Sequence, residues 1–208
     1  MIKVAASARR SFVFPATCAL AYAYYSDAGR LLDCLPHICL VRAYGPDRFR
    51  LLYDATELGV YQVHILADVQ TILEEGRVLR SEPWDGLPPG EARISSKAVI
   101  AQGFYASRST FCEAGGKTRI EYSVQIWAQL PTPHGLRLLP RRVVDHIARS
   151  ITNMRMRETA NCFVERSIAA YPQWLAEMEG SSLSLEGAGS RTVPEPDPRC
   201  LEKLDQQL

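Results

Sequence analysis

The most informative segment of the sequence is KTRIEYSVQIWAQL, residues 117–130. Apolar side chains stand at every second position and alternate with polar ones, and only Trp127 interrupts the polar set. A period of two places successive side chains on opposite faces of a strand. The segment therefore predicts a long β-strand with one face buried and one in water, which is typical of an antiparallel sheet.

Further strands are predicted on the N-terminal side of this segment by runs of alternating or apolar residues. These runs are residues 8–15, 37–43, 48–55, 60–71, 77–81 and 95–112. Gly115-Gly116 joins the last run to 117–130 and predicts a tight hairpin. Two short helices are predicted between the first and second strands, with Ser26 or Asp27 as the cap of the second helix.

A long helix is predicted over residues 140–177, because Pro140 suits a first turn and one apolar stripe follows it. The composition then shifts to Ser, Gly, Glu and Pro, which predicts a disordered tail over residues 180–208. The sequence thus predicts one α+β domain, residues 8–178. In it a curved antiparallel sheet of about six or seven strands wraps a long C-terminal helix.

The composition excludes some classes of partner and compartment. The chain has 24 Lys and Arg against 23 Asp and Glu, so it lacks the positive field that favours nucleic acid. No apolar run approaches the roughly 20 residues of a membrane span, and no secretory signal is expected. Six cysteines without a regular framework predict free thiols in a reducing cytoplasm.

This order of elements resembles the helix-grip fold of the START-like (SRPBCC) superfamily. A closer resemblance, over about residues 8–176, is to a START-related family of cyanobacteria and plastids, which implies the fold but no catalytic residues. The residues that carry it are 117–122, 130–133, 136–140, Arg155 or Arg157, Phe163, Tyr171 and Trp174.

The resemblance implies an internal cavity between sheet and helix, and strand and helix periodicity suggests which side chains line it. The candidate ligand-binding residues are Tyr53, Val63, Ile65, Ile100, Gln102, Phe104, Arg108, Tyr122, Val124, Ile126, Ile147, Ile151 and Met154. Gln102 would carry an amide inward, and an unpaired buried amide costs about 1–3 kcal/mol, so it needs a partner, water or ligand. The opposite face of this strand, with Val99, Tyr105 and Phe111, stays open as the inward one.

Catalytic, metal and cofactor motifs are not evident. CLPHIC, residues 34–39, supplies metal-ligand types, but a zinc site needs a further ligand from far along the chain. The four histidines fall on separate elements, and no strand-to-helix glycine loop for phosphate is present. We therefore predict no catalytic residue, no metal and no cofactor.

Three functions remain open. The leading hypothesis is binding or transport of an apolar small molecule, such as a lipid, a pigment or an isoprenoid-like compound. The alternatives are a cyclase- or hydrolase-type enzyme that uses the same cavity and a non-enzymatic scaffold or assembly factor with a filled core. Leu138, Leu139, Arg141 and Arg142 fit transient membrane contact, although a solvated face paired with acidic neighbours is favoured.

Overall fold

A computed structural model describes residues 1–85, 93–94, 98–182, 193–196 and 198 of the protein. The strands are β1 (Ile2–Phe14), β2 (Ile38–Ala43), β3 (Arg48–Glu57), β4 (Tyr61–Glu74), β5 (Val78–Pro83), β6 (Arg93–Ile94), β7 (Ala98–Ala114) and β8 (Lys117–Leu130). The helices are α1 (Cys18–Tyr25), α2 (Ala28–Leu32), a 3₁₀ helix (His134–Leu138) and α3 (Arg141–Ser182).

The strands form one sheet in the order β1-β8-β7-β5-β4-β3-β2, with β6 added to β7. Its ladders are antiparallel in the described residues, apart from a direct parallel pairing of 62–66 in β4 with 98–102 in β7. The sheet and the long C-terminal helix confirm the predicted α+β helix-grip architecture. The two short helices after β1 are also present, and Asp27 caps α2 by accepting a hydrogen bond from the Arg30 backbone N–H.

The first strand is longer than the sequence suggested. It begins at Ile2 rather than at residue 8, and it pairs with β8 from Ile2 opposite Leu130 to Phe14 opposite Thr118. Alanines and Ser7 hide its alternation, because small side chains give little contrast between the two faces.

The second half of α3 packs against α1 through an aromatic core. Phe14, Tyr24 and Tyr25 are fully buried there, and the Tyr171 ring lies 4.8 Å from that of Phe14. The Tyr24 hydroxyl donates to the Ser167 carbonyl oxygen at 2.9 Å, which satisfies the one polar atom of that ring. The space between α1 and the second half of α3 is therefore filled.

The predicted tail, 180–208, lies mostly outside the described residues, and its disorder stays a prediction. Inside that range α3 continues to Ser182, and Pro194 packs so closely on Gly29 that a Cβ there would lie 2.7 Å from the proline Cβ. Residues 82–93, whose prolines and glycines predict an exposed loop, also fall largely outside the description, since residues 86–92 are not part of it.

The prediction of free thiols is wrong for Cys39, which takes part in a disulfide bond. Cys18, Cys34, Cys112 and Cys162 are free. Spacing alone does not identify a bonded cysteine, because the bond depends on which side chains the fold brings together. No helix in the described residues is long and apolar enough to cross a membrane.

Candidate functional site

A cavity of about 170 Å³ lies between the first half of α3 and the concave face of the sheet. β1, β3, β4, β7 and β8 each contribute side chains, as do the segment from Pro131 to Leu136 and α3 from Val144 to Thr159. Most of the lining is aliphatic or aromatic. Such an enclosure suits an apolar guest, because transfer of apolar surface out of water is favourable.

The structure places eight of the thirteen predicted cavity residues around this volume. They are Tyr53, Val63, Ile65, Phe104, Val124, Ile126, Ile147 and Ile151. The other five predicted residues, Ile100, Gln102, Arg108, Tyr122 and Met154, do not line it.

Three of these five lie on the other face of β7. Ile100 is opposite His64, whereas the neighbouring pair Val63 and Val99 faces the cavity. The Gln102 amide instead lies 3.4 Å from the Asp68 carboxylate, which also accepts two hydrogen bonds from Arg50.

Arg108 is half-exposed on that outer face and lies 3.7 Å from Glu74. β7 thus lines the cavity with Val99, Phe104 and Tyr105, and Val99 and Tyr105 stand on the face that the sequence had left as the alternative.

Tyr122 and Met154 miss the cavity for different reasons. Tyr122 points to the same side as Val124, but its ring stacks on Phe163 at 4.6 Å and belongs to the filled core. Met154 is 54% exposed, because the cavity face of α3 passes through Arg155 instead. The apolar stripe predicted from the sequence included Met154 and did not place Arg155 beside the cavity.

A polar cluster therefore borders the otherwise apolar cavity. The Arg155 guanidinium donates through Nε to Glu57 Oε1 at 3.0 Å and through Nη1 to Glu158 Oε2 at 2.8 Å. The Tyr53 hydroxyl donates to the same Glu57 oxygen at 3.0 Å. We call these four residues, with His37, the polar cluster; His37 Nε2 lies 3.5 Å from Glu158 Oε1.

Electrostatics within the polar cluster hold Tyr53 protonated and Glu158 ionised. Burial, with the neighbouring Glu57 carboxylate, raises the pKa of Tyr53 well above its usual value. The hydrogen bond from Arg155 lowers the pKa of Glu158. His37 has a backbone φ of 61°, a left-handed conformation that is uncommon for a residue other than glycine and that often marks a functional site.

Two threonines of α3 also line the cavity. Thr152 and Thr159 lie at i−3 and i+4 from Arg155, so all three share one face of the helix. The Thr152 hydroxyl donates to the Ala148 carbonyl oxygen at 2.7 Å. Thr159 is only 6% exposed, and its hydroxyl forms no hydrogen bond with the residues that the structure describes.

The sequence reasoning missed Glu57, Thr152, Arg155 and Thr159. The three helix residues could have been identified from the 3.6-residue period of α3. A helical face that includes Ala148 and Ile151 also includes Thr152, Arg155 and Thr159. Glu57 could not be found in this way, because its place beside Arg155 depends on how β3 meets the helix.

Solved structures share this architecture. The aromatase/cyclase Zhui from Streptomyces sp. R1128 superposes with a TM-score of 0.51 and 8% identity, over 83% of this chain and 96% of that one. The chain therefore has a helix-grip fold.

Two further solved structures are similar. A START superfamily protein from Mycobacterium smegmatis matches 81% of this chain and 98% of its own, with 12% identity and a TM-score of 0.42. A protein from Thermus thermophilus matches 79% of this chain and 99% of its own, with 21% identity and a TM-score of 0.45. No model of a known protein family and no curated protein matches the chain, so the cyanobacterial and plastid resemblance stays a prediction.

Proposed function

We propose that this START-like protein binds a small apolar molecule in the cavity and acts as its carrier or sensor. The observation that carries the proposal is the unfilled, mostly apolar volume between α3 and the sheet. A close-packed interior rarely leaves a space of this size without a reason, because each lost contact costs free energy. The volume counts against the hypothesis of a scaffold with a filled core.

The size of the cavity limits the size of the ligand that it can hold. Its volume of about 170 Å³ is close to the roughly 150 Å³ of an engineered cavity that holds benzene. It is smaller than the roughly 300–1,000 Å³ of pockets for drug-sized ligands. A single ring or a short isoprenoid-like chain therefore fits better than a long acyl chain or a large pigment.

The enzymatic alternative finds little support in the polar cluster. A general acid or base works best with a pKa near the working pH. Burial moves the pKa of Tyr53 away from neutrality, and Arg155 already holds Glu158 in its ionised form. Binding is therefore preferred to acid–base chemistry as the role of this site.

Contact with an anionic membrane surface would give such a ligand a route into the cavity. Five exposed apolar side chains lie near one end of it, and we call them the apolar rim: Leu58, Val60, Leu138, Leu139 and Val143.

The two segments that carry the rim lie side by side, because the Tyr61 hydroxyl contacts Gly135 and both Leu58 and Leu136 line the cavity. Arg137, Arg141 and Arg142 are exposed beside the rim. None of them pairs with an acidic group in the described part of the chain.

A cytoplasmic location and a photosynthetic source stay predictions from the sequence.

Native mass spectrometry of protein purified from its own type of cell tests the proposal. We expect a stoichiometric apolar passenger that is released on denaturation. A clean mass of the bare chain, together with no rise in melting temperature when one-ring hydrocarbons are added, would overturn carrier and sensor alike.

A further inference from the structure

Apart from Tyr61, Tyr105, Trp127 and Thr152, the polar side chains that line the cavity among the described residues belong to one strip, formed by the polar cluster and Thr159. We infer that the ligand carries one neutral oxygen group, a hydroxyl or carbonyl, that meets this strip, and that it does not carry a carboxylate or phosphate there. This inference rests on the proposed function and specifies the ligand class of the same cavity.

The Thr159 hydroxyl is the group in the cavity wall that we expect to form a hydrogen bond with the ligand. Its side chain is more than nine-tenths buried and lines the cavity, and its hydroxyl has no partner among the described residues. A hydroxyl in a mostly apolar cavity wall that has no protein partner gains from a hydrogen bond to a ligand. A hydroxyl both donates and accepts, so a ligand alcohol, phenol or ketone would satisfy it equally well.

The charges of the polar cluster exclude an acidic group. Arg155, the one guanidinium beside the cavity among the described residues, is already engaged by the carboxylates of Glu57 and Glu158. A ligand carboxylate would therefore meet two negative charges against one positive charge, in a wall where charges are poorly screened. A neutral group avoids this repulsion and still accepts or donates a hydrogen bond.

Glu57 offers a second partner to a ligand that donates. Its Oε1 accepts from both Tyr53 and Arg155, whereas Oε2 accepts no hydrogen bond from the described residues. A ligand hydroxyl could donate to Glu57 and accept from Thr159, which lies one helical turn from Arg155 on the same face of α3. The geometry favours a hydroxyl over a carbonyl for this reason.

Three one-ring probes of similar size test the inference at neutral pH: ethylbenzene, 4-ethylphenol and 4-ethylbenzoate. Calorimetric titration of the full chain should show 4-ethylphenol binding about 3- to 10-fold more tightly than ethylbenzene, which is the worth of one net hydrogen bond. 4-Ethylbenzoate should bind most weakly of the three.

Two isosteric variants separate a hydrogen bond from a change in packing. Thr159→Val should lower the affinity for 4-ethylphenol several-fold, because the hydrogen bond to Thr159 is lost, and leave the affinity for ethylbenzene unchanged. Thr152→Val is the matched control, because the Thr152 hydroxyl is already bonded to the Ala148 carbonyl oxygen, and it should keep the phenol-to-hydrocarbon ratio.

The contrary outcomes are distinguishable. If 4-ethylbenzoate binds as tightly as the phenol, or if Thr159→Val keeps the preference for the phenol, the inference about the ligand group is wrong while the cavity remains a binding site. If none of the three probes binds, the proposed function itself fails.

Discussion

Arg155 of α3 and Glu57 of β3 join the helix to the sheet at the edge of the cavity, with Arg155 Nε 3.0 Å from Glu57 Oε1. Their side chains are only 22% and 12% exposed. A partly buried charge that loses its partner keeps its desolvation cost without compensation. We therefore expect the pair to determine the position of α3 relative to the sheet and to contribute little to the net free energy of unfolding.

A double-mutant cycle on this pair should show strong coupling. We expect Glu57→Gln and Arg155→Met each to lower the free energy of unfolding by about 1–3 kcal/mol, less than for a fully buried pair because both groups meet some water. The double variant should lose clearly less than the sum of the two single losses. Urea unfolding of the four proteins measures this.

The exposed pair Arg30–Glu177 is the matched control for the cycle. It joins α2 to α3 at 2.9 Å, but its side chains are 33% and 46% exposed. Its coupling energy should be much smaller than that of Arg155–Glu57, because solvent screens an exposed ion pair. Equal coupling in both pairs would show that burial of the Arg155–Glu57 pair has no special effect.

Filling the cavity should remove ligand binding without unfolding the protein. Ala148 lines the cavity from α3, so Ala148→Leu places three further carbon atoms in open space. We expect binding of ethylbenzene to weaken more than tenfold and stability to stay equal or rise by about 0.5–2 kcal/mol, as cavity-filling substitutions do.

Ala169→Leu adds the same atoms on an exposed face of α3 and serves as the control. It should change neither binding nor stability by more than about 0.5 kcal/mol. If Ala148→Leu binds ethylbenzene as well as the parent protein, the guest does not occupy the volume described here.

The inward face of β7 was within reach of the sequence. Gly115 and Gly116 have φ values of 61° and 79°, which is the two-residue turn that such a dipeptide favours in a hairpin. A two-residue turn places Ala114 opposite Lys117 and hence Tyr105 opposite Ile126. Since opposite residues share a face, the clear alternation of β8 would have selected Tyr105 over Gln102.

Other features could not be read from the sequence. The volume left beside α3 depends on how closely the helix approaches the sheet, which no periodicity encodes. Local patterns also do not identify Glu57 as a partner of Arg155 across 98 residues, because the contact is made by the fold. The long helix and the sheet were predictable because each repeats one period over many residues.

The apolar rim should bind anionic vesicles. We expect the protein to cosediment with vesicles of phosphatidylcholine and phosphatidylglycerol more than with phosphatidylcholine alone, and less at high salt, because screening weakens the attraction of the exposed arginines. Arg141→Gln should weaken binding several-fold, since each basic residue near the surface is worth about 1 kcal/mol.

Leu138→Ser tests the apolar part of the rim, because this side chain is 91% exposed and its loss should not affect folding. It should reduce cosedimentation. Val13→Ser is the control: Val13 is 51% exposed but lies at the end of β1 away from the cavity-lining Ile2. Equal effects of the two substitutions would contradict a membrane contact at the rim.

Alkaline pH should destabilise the protein through its buried tyrosines. Burial raises the pKa of Tyr24 to about 12 and that of Tyr25 further, whereas both return to about 10 in the unfolded chain. A raised pKa in the folded state contributes stability that is fully present below pH 10 and is lost as the pH rises through the folded value. Between these limits the unfolded chain releases protons that the folded chain retains, so unfolding becomes more favourable.

Tyr24→Phe isolates one of these groups. At pH 8 it should cost about 1 kcal/mol, because the hydrogen bond to the Ser167 carbonyl oxygen is lost. At pH 11 the difference from the parent protein should shrink or reverse, since phenylalanine has no proton to release and each unit above pH 10 costs the parent about 1.4 kcal/mol. Urea unfolding at the two pH values measures both differences, and an equal cost at pH 8 and pH 11 would show that the Tyr24 hydroxyl ionises as easily in the folded protein as in the unfolded chain.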